Sequence, residues 1–291
     1  MAKVRNSAHT MRSGRIGENT WYVRNGEQIV RQRLQNSNYG EGARRSEAQQ
    51  LRRSKWGNLV NFYKAIKSWQ PKAYEGLKPG QTDYNLFMSL NANSTPVYLT
   101  RQLVEAGGAV ADEFKVSKGS LPALTIDASE VNYDVLLIQQ HATAITSSST
   151  IGQLSTSLID ASSDYKEGDN LAFIFVSCQA DSAGVPRSVC IYKEITLDKS
   201  SSALITSTGI SAIHDADGSV TNFNLADDNF NVDLVAIIHT RLEAGGLKVS
   251  SQSLLTRTDY SLNETYSTPA AAAAAVDSYG VDADVPLMPG E

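Results

Sequence analysis

Asn25-Gly26 sits between two alternating runs, Thr20-Trp21-Tyr22-Val23-Arg24 and Glu27-Gln28-Ile29-Val30-Arg31, and no other short stretch of this chain constrains its backbone as tightly. A type I′ turn needs positive φ at both central residues, a conformation that Asn and Gly reach at low cost, so the stretch predicts a two-residue β-hairpin. The turn fixes the register. Trp21 falls opposite Val30, while Tyr22, Arg24, Ile29, Arg31 and Arg33 share the other face, because side chains alternate along each strand. That face is a basic ribbon with two large apolar side chains inside it.

The ribbon belongs to a wider asymmetry. Residues 1–80 carry 16 Lys and Arg against 5 Asp and Glu, net +11, whereas residues 81–291 carry 10 against 26, net −16, which leaves −5 for the whole chain. A basic segment joined to an acidic body suits a chain whose one end neutralises a polyanion, or the acidic body of a neighbouring copy. Hydrophobic residues at 41% and charged ones at 20% describe a folded chain rather than a disordered one. No run approaches the ~18 apolar residues of a membrane span. The first residues lack the apolar core of a secretory signal, so synthesis and retention in the cytoplasm is the expectation.

Along the chain, residues 1–12 read as a polar, basic arm that orders only against a partner. Residues 46–69 read as a helix: Ala48, Leu51, Leu59, Phe62, Ile66 and Trp69 fall on one stripe, Arg53, Lys64 and Lys67 fall opposite, and Trp56, Val60 and Tyr63 broaden the apolar side. Ser46 is the expected cap and Pro71 the stop. Asp83 to Leu90 predicts a second helix. From Val97 onward short β-rich runs recur: Ala109–Val116, Ala123–Asp127, Val135–Gln140, Leu171–Gln179, Ser188–Leu197, Leu234–Thr240 and Lys248–Leu255. Phe173 and Phe175 alternate with Ile174 and Val176, apolar on both faces, which predicts a central strand. Leu103–Ala106 and Ile151–Ser162 predict short helices crossing the sheet edges. Thr268, Pro269, six alanines and Gly280 carry the full set of signals for a short helix.

Motifs for chemistry are weak. Ser13-Gly14-Arg15-Ile16-Gly17 lacks the third glycine of a dinucleotide fingerprint and the Gly-Lys-Ser/Thr of a P-loop, so it reads as a flexible approach to the hairpin. Asp215-Ala216-Asp217-Gly218 opens like a calcium loop, but Val220 and Ala226 stand where that loop needs Gly and Glu, which makes a polar turn the better reading. His214 beside Asp215 has no nucleophile elbow to serve, and His239, inside an apolar run, reads as a packed core histidine. A hairpin around Ala183-Gly184 sets Cys178 opposite Cys190; in a reducing compartment they read as two small thiols rather than a disulfide. No metal ligand set, cofactor motif or small-molecule site stands out.

The candidate site is therefore an interaction surface. Arg15, Trp21, Tyr22, Arg24, Arg31, Arg33, Arg45, Arg52, Arg53 and Trp56 interleave charge with rings, the combination that meets either the acidic body of a neighbouring copy or a single strand of nucleic acid.

Several of these stretches also carry a resemblance: Ser13-Gly14-Arg15-Ile16-Gly17, the hairpin Trp21 to Arg33, the Ser46-Glu47-Ala48-Gln49 helix start, Asn61-Phe62-Tyr63, Thr82 to Phe87, Val97-Tyr98-Leu99-Thr100, Lys118 to Pro122 and Ser278-Tyr279-Gly280. The chain resembles an uncharacterised domain family of Bacteroidota genomes and their prophages. The resemblance implies a basic hairpin-plus-helix module ahead of a β-rich body and transfers no catalytic residue. The expected fold is α+β: an N-terminal β-hairpin and helical hairpin, then a mainly antiparallel β-sandwich or barrel-like domain. The expected units are residues 1–95, 96–280 and an acidic tail, 281–291. The expected role is non-enzymatic: a structural component of a phage or prophage virion (capsid, neck or tail), made in the host cytoplasm, contacting itself or other virion proteins and neither membrane nor small-molecule substrate. DNA contact by the basic module is the alternative.

Overall fold

The computed structural model describes residues 2–4, 14–16, 19–24, 27–32, 47–78, 80–94, 96–123, 148–214, 220–225, 232–257 and 260–279. β1 (Ala2–Val4), β2 (Gly14–Ile16), β3 (Asn19–Arg24) and β4 (Glu27–Gln32) form a four-stranded antiparallel sheet in the order β1-β4-β3-β2. The hairpin keeps its predicted register, with Trp21 opposite Val30 and Tyr22 opposite Ile29. Asn25 and Gly26 lie outside the described residues. Residues 2–4 and 14–16 depart from the expected arm and flexible approach, since both are strands. An isolated hairpin leaves a row of unpaired N–H and C=O groups along each edge, and these two short segments satisfy them.

α1 (Glu47–Ile66) follows its period: Leu59, Phe62 and Ile66 are buried, and Trp69 joins them just past the helix end, whereas Ala48 is exposed. Fully burying side chains of this size is worth roughly 1.5–3 kcal/mol each. Pro71 sits in a 3₁₀ turn, Gln70–Lys72, where a missing N–H costs little. α2 (Asp83–Asn91) begins at Thr82, whose Oγ1 accepts from Asn85 N. Phe62 meets Phe114 at 5.1 Å between ring centroids, and Tyr63 meets the α2 residue Tyr84 edge-on, also at 5.1 Å. α3 (Arg101–Glu105) follows, capped by Thr100.

Ala109–Val116 is not the strand its pattern suggests. It runs largely buried and irregular, touching other backbone only at isolated points (Ala109 N to Pro186 O, Val116 N to Gln252 O, Leu254 N to Phe114 O), and amide side chains pair much of the rest. Asn58 of α1 donates from Nδ2 to Val110 O (2.9 Å) and accepts Val110 N on Oδ1 (2.8 Å). Asn91 does the same for Lys115, accepting its N–H at 2.7 Å and donating to its carbonyl at 3.0 Å. Asn61 donates to the carbonyls of Val104 and Gly108. Buried backbone groups must be paired, and here the partner is a helix face.

The body is an open antiparallel sheet. α4 (Ile151–Ala161) precedes β5 (Asn170–Ala180) and β6 (Pro186–Thr196); β7 (Ile210–His214) and β8 (Val220–Leu225) make a separate ribbon. β9 (Leu234–Glu243), β10 (Gly246–Val249) and β11 (Leu255–Thr256) complete the five-stranded sheet, in the order β10-β9-β5-β6 with β11 also on β9. Residues 123–147 with the strands expected at Ala123–Asp127 and Val135–Gln140 lie, from residue 124 on, outside the described residues.

β5 is central and apolar on both faces, as predicted. Ala172, Ile174 and Val176 face a core shared with α1, α2, Leu99 and Val110, so that core spans residue 95. Leu171, Phe173 and Phe175 face a second core with Leu154 and Leu158 of α4. α4 thus lies on a sheet face rather than across an edge, because Leu154 and Leu158, one turn apart, give it an apolar stripe to bury. The α+β expectation holds, with an N-terminal hairpin, helices and a mostly antiparallel body. The sheet is not closed into a barrel.

α5 (Leu262–Ser267) leads into α6 (Pro269–Tyr279), whose start is capped by Thr268 Oγ1 accepting from Ala271 N at 3.1 Å. α6 and α3 both pack on α1. A Cβ on Gly57 would sit 2.8 Å from both Val104 methyl carbons and 3.3 Å from Tyr279 Oη. Gly57→Ala is therefore expected to destabilise the fold by about 1 kcal/mol despite the ~1 kcal/mol of helix propensity it gains, because overpacking costs more. Chemical denaturation checks the sign.

Candidate interaction surfaces

The N-terminal sheet gathers part of the predicted set. Its register places Arg15 opposite Thr20, Thr20 opposite Arg31, and Arg24 opposite Glu27, so these positions fall on the same side of the sheet as Tyr22 and Ile29. Arg31 is exposed, Tyr22 half-buried and Ile29 buried; Trp21, on the other side, is half-buried with its indole N–H sealed from water. Arg33 and Arg45 lie outside the described residues.

α1 carries the rest. Arg52 and Arg53 are exposed, and Trp56 keeps 43% of its surface exposed although the helix buries Leu59 and Phe62 one turn on. Lys64 and Lys67 continue the exposed side. A large ring left open among cations is a surface feature that packing among the described residues does not explain. The shoulder residues Val60 and Tyr63, by contrast, are spent inside, against the first core.

Two clusters of ionised groups escape a sequence reading because their members lie far apart in the chain. Asp169, ahead of β5, is 2% exposed; it takes Arg241 Nε on Oδ1 at 2.7 Å, and on Oδ2 it meets Arg241 Nη2 at 2.7 Å and His239 Nε2 at 2.8 Å, with Lys166 N also bonded. Tyr165 covers His239 at 5.0 Å. Burial pushes the Asp169 carboxyl up, but Arg241, His239 and the Lys166 N–H outweigh it and hold it down at about 2. Glu75 accepts from Lys248 Nζ at 2.5 Å and from the N–H and Oγ of Ser120; these outweigh its desolvation and bring it to about 2 as well. Both clusters use their acceptors on neighbouring donors and tie loops to the sheet. They are clamps. His239 is the packed histidine expected, with a charged partner that its apolar run does not announce.

The cysteines are free and not opposite one another. β5 and β6 pair Cys178 with Ser188 and Cys190 with Val176, because the connection turns on the five residues Asp181 to Val185 and centres on Ala183. Burial pushes the Cys190 thiol up to about 12, which keeps it protonated and unreactive. Among the described residues no cluster of His, Cys, Asp or Glu is arranged to hold a metal, and no helix is long and apolar enough to cross a membrane.

Comparison with protein-family models, curated proteins and solved structures gives no match.

Proposed function

We propose that this chain is a structural protein that assembles with copies of itself, as a component of a phage or prophage virion. One observation carries the reading: the first 80 residues carry +11, with Arg52, Arg53 and Lys64 exposed on α1, Lys67 exposed just past its end and Arg31 exposed on the small sheet, while −16 rests on the remainder of the same chain. A basic module and an acidic body on one chain form a head-to-tail contact, and such contacts build rings and shells. The purified chain is expected to form particles visible by negative-stain microscopy, which are lost on deleting residues 1–40 and weaken as salt rises. A chain that stays monomeric at high concentration and binds no virion protein overturns the proposal.

Trp56, exposed beside Arg52 and Arg53, favours a second reading, in which the module neutralises nucleic-acid phosphates and offers a ring for stacking. That reading predicts DNA or RNA affinity that falls steeply with salt and drops both on deleting residues 1–40 and on Trp56→Ala. A flat salt response rules it out.

A further inference from the structure

α6 ends against the part of α1 that carries exposed cations. The Tyr279 hydroxyl comes within 3.3 Å of the place where a Cβ on Gly57 would stand, and Ser278 Oγ accepts from Arg101 N at 2.9 Å, which ties the last turn of α6 to the start of α3. Burial and Glu105 push the Tyr279 hydroxyl up, and Arg101 and Arg53 act against them, so the charge of Arg53 is felt at the end of α6. Arg52 and Arg53 each stand one turn before Trp56, a spacing that makes neighbours on a helix surface. At ~100° per residue Arg53 lies between Gly57 and Trp56, so the chain leaves α6 beside Arg53, with Trp56 next around the helix. Among the described residues no carboxylate pairs with Arg52 or Arg53.

Residues 280–291 lie outside the described residues. Their composition fits this face: Asp282, Asp284 and Glu291 come without any Lys or Arg, and Leu287 and Met288 are among the apolar remainder. A chain spans at most ~3.3–3.6 Å per residue, so Asp282 and Asp284 reach about 10 and 17 Å beyond Tyr279, more than the ~6 Å of helix between Gly57 and Arg53. The segment that precedes α1, residues 33–46, suits the face poorly. It carries Arg33, Arg44 and Arg45 against Glu41 and would set like charge on like.

We propose that residues 281–291 dock on α1 of the same chain, with Asp282 and Asp284 on Arg53 and Arg52 and with Leu287 and Met288 over the Trp56 ring. Covering the ring removes apolar surface from water, and a thioether against an aromatic ring adds to the contact. The contact is intramolecular, so the tail is present at an effective concentration on the order of millimolar, and any acidic partner of this face must first displace it. The tail is a competitor built into the chain, whichever partner the basic module meets, and it stands apart from the self-assembly reading.

A bimane fluorophore on Met288→Cys of the full chain tests this, because tryptophan quenches bimane on contact. Cys178 is buried and the Cys190 thiol is held protonated, so the label goes to the engineered cysteine. Trp56→Phe is expected to raise the emission about twofold or more, and so is Arg52→Glu combined with Arg53→Glu. Adding Asp282→Arg and Asp284→Arg to that reversed pair is expected to restore the quenching, which also shows that the reversed chain folds. The quenching is expected to hold on dilution. Emission that Trp56→Phe or the reversed arginines leave unchanged overturns the proposal, as does quenching that fades on dilution because a second copy supplies the ring. Either result leaves self-assembly standing.

Discussion

Asp169→Ala is expected to lower the unfolding free energy by about 2–4 kcal/mol, because it leaves the half-buried Arg241 guanidinium and the buried His239 without their shared carboxylate. Arg241 has only 13% of its side chain exposed and His239 1%, so neither recovers its hydration by turning outward. Urea denaturation measures the loss. The same cluster gives the fold an acid limit. The folded carboxyl sits at about 2, below the ordinary 3.8, so its contribution is complete above about pH 4 and is lost as pH falls towards 2. That part is on the order of 2 kcal/mol, from ~1.4 kcal/mol per pKa unit. Glu75, lowered from 4.5 to about 2, adds a parallel loss over the same range. The alanine variant is expected to lose more than protonation does, since a neutral carboxylic acid still bonds where a methyl cannot. Wild-type stability that stays flat between pH 5 and pH 2, followed by circular dichroism, would contradict this account.

Asn58→Leu is the second large effect. Leucine is a better helix former and nearly the same size, yet the change strands the N–H and C=O of Val110 in an interior where Asn58 itself is 1% exposed. An orphaned buried polar group costs about 1–3 kcal/mol, which gives about 2–6 kcal/mol for the two. The exposed Gln49→Leu on the same helix is the control, expected within about 0.5 kcal/mol of wild type. Equal effects for the two variants would mean that the Asn58 bonds add nothing.

These two sites mark where local pattern stops being informative. The β3–β4 hairpin, α1, β5 and α6 could be read from the chain because each is specified within its own length, by a turn dipeptide, a 3.6-residue stripe, a doubly apolar run, or a cap followed by Pro and Ala. Ala109–Val116 misled because its apolar residues are buried as a strand's would be, while Val110 and Lys115 are paired by Asn58 and Asn91 on helices and only isolated backbone bonds, from Ala109, Phe114 and Val116, reach neighbouring strands and loops. Asparagine in the middle of a helix, a poor residue for that place, was the available signal. The Asp169–Arg241 pairing carried no signal, since 72 residues separate the partners. The cysteine register slipped by two because a five-residue turn was taken for a shorter one. For the surface, residue types and exposure were legible at Arg52, Arg53 and Trp56; the identity of the partner depends on shapes that no single chain contains.

The packing of α6 beside Gly57 also bears on how the chain is made. α1 is synthesised well before its cover: α6 begins roughly 200 residues later, about 10–40 s at ribosomal speed, and β5 and β9 begin roughly 100–170 residues later. During that interval Leu59, Phe62 and Ile66 have no β5 or β9 to bury them. The apolar stripe of α1 thus stays uncovered until β5 and β9 are made, and the packing of α6 beside Gly57 is the last of its contacts that synthesis allows.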